Sequence, residues 1–201
     1  MTKIITTLAL LLSIVTQAQE CSPDAAKAAQ DKLNSEYADP IESPLTKEDL
    51  KKFKHLNFYE LDMDFCVTAK LERTPNEKPF QMATTTARTA TSKKYGTLHF
   101  TLEGKEYKLD VFQDLDLIKK DGFKDYLFLP FTDASSGHGS YSGGRYIDLR
   151  EPKDNGKLIT IDFNQAYNPY CAYNKKYSCP IPPEQNYVDV LIRAGVKAYH
   201  D

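Results

Sequence analysis

Residues 96–112 read GTLHFTLEGKEYKLDVF. Leu98, Phe100 and Leu102 share one face of the outgoing arm. Glu103, Gly104 and Lys105 reverse the chain, and Tyr107, Leu109 and Val111 return on the matching face. A period of two marks a half-buried strand, and two such arms around a glycine-bearing turn predict an antiparallel hairpin. The same period occurs upstream at 67–71, where Val67, Ala69 and Leu71 face a core while Thr68 and Lys70 face water. A threonine-rich strand is expected at 82–87. Downstream, 126–131 is a continuous apolar run, which suits a strand covered on both faces. Further strands fall at 145–149, 158–163 and 188–192. Strands at this spacing predict a mainly β (α+β) fold. It is a single antiparallel β-barrel or sandwich-like domain over 58–201.

Two short helices precede it, within a helical segment at 19–57. Ser22, Pro23 and Asp24 form a strong helix start: a capping hydroxyl, a proline at the first helical position and an acid at the positive end of the dipole. Ala26, Ala29, Leu33 and Tyr37 then share one face, and Asp39-Pro40 ends the helix. Thr46 caps the second helix, with Asp49 three residues on and Leu45 placed to staple onto Leu50. It is expected to end near Phe53.

Residues 1–18 have the form of an export signal: Lys3, a short apolar run from Ile4 to Val15, then Thr16-Gln17-Ala18 with small residues at the cleavage positions. The run is too short to span a bilayer, so the mature chain is expected in the periplasm or secreted, with no membrane span. Its length suits one domain with a real core. A net charge of −2 with scattered lysines lacks the basic stripe of a nucleic-acid binder. Four cysteines in an exported chain point to disulfides. Cys171 with Cys179, and Cys21 with Cys66, are the preferred of three possible pairings; closing the short 171–179 loop is worth about 2.5 kcal/mol by loop entropy. No Cys-x-x-Cys spacing occurs, so neither zinc nor a redox dithiol motif is indicated. No metal and no cofactor is expected.

Residues 133–186 are the densest in glycine, tyrosine, asparagine, proline and cysteine. Gly137, Gly139, Gly143 and Gly144 run directly into Arg145. Glycines let another group approach the backbone closely, successive N–H groups can form an anion nest, and a guanidinium grips carboxylate or phosphate with two bonds. Arg145, Tyr141, Asn164 and Asn168 could then converge at one end of a barrel as a site for a small polar or anionic ligand. The alternative is structural: a glycine-rich hairpin in which Arg145 pairs with Asp148 or Asp162. A hydrolase reading would use Ser135 or Ser136 as nucleophile, His138 as base and Asp133 or Asp162 to orient it, though no Gly-x-Ser-x-Gly elbow is present.

PFTDASSGHGSYSGGRYIDL, DFNQAYNPYCAY and CPIPPEQN, closing with IRAG, resemble the bacterial domain-of-unknown-function family 1684. SPLTKEDLKKFKHLNFYELD resembles its N-terminal portion, so the likeness covers about residues 40–197. The family pattern emphasises Asp133, Gly137, Tyr141, Gly144, Arg145 and Tyr146. It continues through Asp162, Phe163, Asn164, Tyr167, Asn168, Pro169, Cys171, Cys179, Pro180, Pro182, Pro183 and Asn186. Ser140 and Ser142 depart from its usual Thr and Gly, and His138 falls at a variable position. The resemblance implies no established activity. The expected site comprises Asp133, Tyr141, Gly144, Arg145, Tyr146, Asp162, Asn164 and Asn168 in a non-enzymatic binding domain. A hydrolase and a cell-envelope interaction module are the alternatives.

Overall fold

The computed structural model describes residues 21–153 and 156–199; the expected export signal lies outside them. Helix α1 (Pro23–Ala38) and the single turn α2 (Lys47–Leu50) come first. Among the described residues eight strands follow: β1 (Cys66–Arg73), β2 (Phe80–Ala83), β3 (Thr89–Leu102), β4 (Lys105–Asp114), β5 (Tyr126–Asp133), β6 (Arg145–Arg150), β7 (Leu158–Asp162) and β8 (Tyr187–Val188). They form one sheet in the order β6-β5-β4-β3-β1-β7, with β2 added to β3 and β8 to β5. The sheet is mostly antiparallel and curls into a half-barrel.

The expected hairpin is β3–β4. Leu102 pairs with Lys105, so the loop is two residues, Glu103 (φ 50°) and Gly104 (φ 75°). Positive φ at both positions matches the right-handed twist of the arms. β3 is long enough to pair β4 throughout, β1 along one half and β2 along the other. Its register shifts between Lys94 and Gly96, where a Cβ on Gly96 would lie 2.5 Å from the Glu72 carbonyl.

Alternation sends Ala69, Leu71, Leu98, Phe100, Leu109, Val111, Leu127, Leu129, Phe131, Ile147 and Leu149 into the concave face, all buried. Each large side chain buried this way contributes roughly 1.5–3 kcal/mol. Residues 188–196 close the open side with Val188, Ile192 and Ala194. Of the strand expected at 188–192, only Val188 lies in a strand, and β8 pairs with β5 in parallel. Beyond it the backbone makes scattered turn and loop bonds and also bonds to side chains: Ile192 N–H donates to the Asp133 carboxylate at 3.2 Å.

Ser22 accepts from the Ala25 N–H at 3.1 Å, and Thr46 accepts from Asp49 at 3.1 Å, as the two cap readings require. Tyr37 and Ala26 of α1 are buried, with Ala29 and Leu33 partly so. Tyr37, Leu45, Leu56, Tyr173 and Val196 make a second, smaller core beneath the helices. A Cys21–Cys66 disulfide ties the start of α1 to the start of β1. Among the described residues, no helix is long and apolar enough to cross a membrane.

Candidate functional site

Arg145 opens β6 opposite Phe131 of β5 and points into the core. It is 0 % exposed. Nη2 donates to Asp133 Oδ2 at 2.9 Å and to the Ile192 carbonyl at 2.9 Å, while Nη1 donates to the Ala194 carbonyl. The guanidinium also lies 5.4 Å from the Phe131 ring centroid. Asp133 is held in turn, its Oδ1 accepting from Ser135 N–H at 2.7 Å. The expected ligand anchor is therefore an internal ion pair. Its carboxylate is Asp133, a correction to Asp148 and Asp162. Asp133 lies two residues beyond Phe131, on the same inward face of β5. Asp148 lies three residues from Arg145 along one strand, so alternation turns it to the opposite face. Gly144 (φ +87°) serves this packing: a Cβ there would lie 2.5 Å from the Phe131 carbonyl.

The remaining expected residues divide among separate places. Asp162, also fully buried, caps the turn at Phe163–Gln165, accepting from Asn164 N–H at 3.0 Å, Asn164 Nδ2 at 2.9 Å and Gln165 Nε2 at 2.9 Å. Asn164 reaches back to Asp62, donating to its carbonyl at 2.8 Å and accepting from its N–H at 3.0 Å. Asn168 donates to the Lys197 carbonyl at 2.8 Å. Tyr141 is half-buried beside Cys171, and burial raises its hydroxyl pKa.

Ser135 Oγ is buried against Ser140 Oγ at 2.6 Å, and Ser136 Oγ accepts the Asp133 N–H at 3.1 Å. His138 is exposed, and no hydrogen bond joins its ring to either serine. Among the described residues, no group of three or more His, Cys, Asp or Glu side chains is placed to hold a metal.

An aromatic recess lies on the other face of the sheet. The alternation that sends Arg145, Ile147 and Leu149 inward turns Tyr146 and Asp148 outward, beside Phe128 of β5, the register partner of Asp148. Helix α1 forms one wall through Ala29, Lys32, Leu33 and Glu36, and residues 165–180 form the other, enclosing a cleft of about 510 Å³. Tyr146 and Tyr167 exchange backbone hydrogen bonds of 2.9 and 3.0 Å, which lays Tyr167 across β6. Asp148 Oδ1 accepts from Tyr167 OH at 2.6 Å and from Tyr126 OH at 2.7 Å. Burial first, then the Asp148 charge, raises the pKa of both hydroxyls, so they stay protonated donors. Tyr146 OH donates to the Pro180 carbonyl. Of the expected site residues, Tyr146 alone lines this cleft; Asp148, Phe128 and Tyr170 were missed. The signal was available: Tyr146-x-Asp148 on a strand whose inward set is already assigned.

Cys179 forms part of the same wall. The expected Cys171–Cys179 bridge is not closed in this structure. Both are thiols in contact, with Cys171 N–H donating to Cys179 Sγ at 3.1 Å. Burial pushes the Cys179 thiol up to about 12.

A comparison with curated proteins gave no match. Among solved structures, the chain is similar to the NMR structure of an uncharacterised protein from Haloarcula marismortui, at 32% identity and a TM-score of 0.67. That match covers 85% of this chain and 91% of the other. The family described as "Protein of unknown function (DUF1684)" matches residues 51–197, which include β1 to β8, the Arg145 ion pair and the β6 side of the cleft. On both grounds the chain belongs to that family.

Proposed function

We propose that this protein is an exported, non-enzymatic binding domain whose small polar ligand sits in the cleft between α1 and the outer face of β5 and β6. The observation that carries this is the cleft itself. Ligand sites are concave, largely apolar and aromatic, about 300–1,000 Å³ in volume, with a few fixed polar groups. Here Phe128, Tyr146, Tyr167 and Tyr170 supply the rings, and Asp148 supplies the fixed polar group within about 510 Å³. Export is supported by the Cys21–Cys66 disulfide, since such bonds persist in oxidising compartments. A binding role is favoured over hydrolysis because the candidate serines are spent on local hydrogen bonds, and neither hydroxyl is hydrogen-bonded to a histidine ring among the described residues.

Thermal-shift screening against a broad panel of small polar compounds tests this reading. The comparison protein is Ala29→Trp, which places an indole in the cleft from the α1 wall. A true ligand at a hundredfold excess over its Kd stabilises the wild type by about 2.7 kcal/mol and leaves A29W unshifted. If no compound stabilises the wild type, or if A29W responds equally, the cleft is not the site.

A further inference from the structure

The charges and ring planes of the cleft select among polar ligands. Among the described residues, Lys32 is the only basic one in the lining, and its ammonium lies 3.7 Å from Glu36 on the same helix. These two offset each other at the rim. Asp148 has no such partner, because no described Lys, Arg or His pairs with it; neighbouring Arg150 is bonded to Asp125 at 2.7 Å. Both tyrosine donors fall on Asp148 Oδ1, and Oδ2 takes no hydrogen bond from any described residue. The cleft thus carries one uncompensated negative charge with an open oxygen.

The donors that an anion or a sugar would need are already partly committed. Tyr167 donates to Asp148, and Tyr146 donates to the Pro180 carbonyl. The rings, moreover, do not form a flat stacking platform. Phe128 and Tyr146 meet at 74° with centroids 4.7 Å apart, Tyr146 and Tyr167 at 90° and 5.8 Å, and Tyr170 and Tyr177 at 61° and 5.2 Å. Planes set at such angles make corners. A corner of π faces suits a compact cation, which several ring quadrupoles attract at once.

We infer that the cleft takes an organic cation, an alkylammonium group seated against Asp148 with Phe128, Tyr146, Tyr167 and Tyr170 as its walls. This rests on the cleft being the ligand site, and it adds the sign of the ligand's charge. Size agrees: a quaternary ammonium head fills only part of the volume, leaving room for a short polar tail toward the Lys32–Glu36 rim.

The test is a calorimetric or NMR titration of the full chain with choline, with the uncharged carbon isostere of choline, and with acetate. Wild type is expected to bind choline at least tenfold more tightly than the isostere and to ignore acetate. Asp148→Asn keeps an oxygen for both tyrosine hydroxyls, and it should lose at least tenfold in choline affinity with an unchanged melting point. Tyr170→Leu keeps apolar bulk but removes one ring face, and should lose severalfold. If the isostere binds as well as choline, or if D148N and Y170L both bind choline like the wild type, the cationic class is overturned while the cleft remains a ligand site. If none of the three probes binds and the broad panel also fails, both readings fall together.

Discussion

A guanidinium without water around it persists only where its charge is matched and most of its N–H groups are paired. Arg145 has Asp133 and the Ile192 carbonyl on Nη2, the Ala194 carbonyl on Nη1, and the Phe131 ring centroid 5.4 Å away, while its Nε has no hydrogen-bond partner among the described residues. Removing one partner of such a buried pair costs far more than the pair itself is worth, because the survivor keeps its desolvation penalty. Asp133→Asn preserves shape and removes the counter-charge, so a loss of about 3–5 kcal/mol is expected in urea denaturation. A loss under about 1 kcal/mol would mean that the carbonyls alone satisfy the arginine. At this scale the sequence was only half legible. A glycine run entering an arginine announces a close approach and a charge, yet it does not say whether the approaching group is a ligand or the protein's own backbone. Choosing the carboxylate needed strand parity and the identity of the neighbouring strand. Parity alone was enough to reject Asp148. Rejecting Asp162 required knowing that β6 lies beside β5, with β7 at the far edge of the sheet.

Helix α1 is marginal on its own apolar face, since Ala26 and Tyr37 are its only buried hydrophobic residues. Besides that packing it is held by the Cys21–Cys66 bond just before its N-cap and by Gln30, whose amide donates to the Asn164 carbonyl at 3.1 Å. The bond closes a sequence separation of 45 residues, for which loop entropy predicts about 4 kcal/mol. Cys21→Ser should lower stability by an amount near that figure and, because α1 walls the cleft, weaken ligand binding as well. Unchanged amide-exchange protection in 23–38 after reduction would show that packing alone holds the helix. Elements were far more legible than contacts. The β3–β4 hairpin, both helix caps and most strand positions follow from local patterns that act over a few residues. The parallel β8 did not, because a two-residue strand has no readable period and gains its identity only from β5. The cleft was hidden for a related reason: its walls come from α1, β5, β6 and 165–180, which are far apart in the sequence and meet only in the folded chain.

The whole molecule is unusually dependent on tyrosine for bulk, with 13 of them and no tryptophan. Burial is the first cause raising the hydroxyl pKa of Tyr37, Tyr126, Tyr146 and Tyr167. A folded state that holds protons more tightly than the unfolded chain loses stability as pH rises above the unfolded values. For these groups the stabilising contribution is complete below about pH 10, the ordinary tyrosine value. Cys179 adds the same sign between its ordinary 9.0 and about 12. Melting temperature is therefore expected to fall steeply above about pH 10, with tyrosinate absorbance appearing together with loss of β-sheet circular dichroism. Tyrosinate growth well ahead of sheet loss would place most of these hydroxyls in contact with solvent.

The backbone oxygens that quiet Arg145 belong to residues 192 and 194, which leave the ribosome long after residue 145 has been made. Until they arrive, a nascent chain has Asp133 to match the charge but lacks the two carbonyls, so the interior around Arg145 is not complete without them. A product truncated before residue 192 would keep that defect and be more open to proteases, because the two carbonyls rather than the salt link are what it lacks.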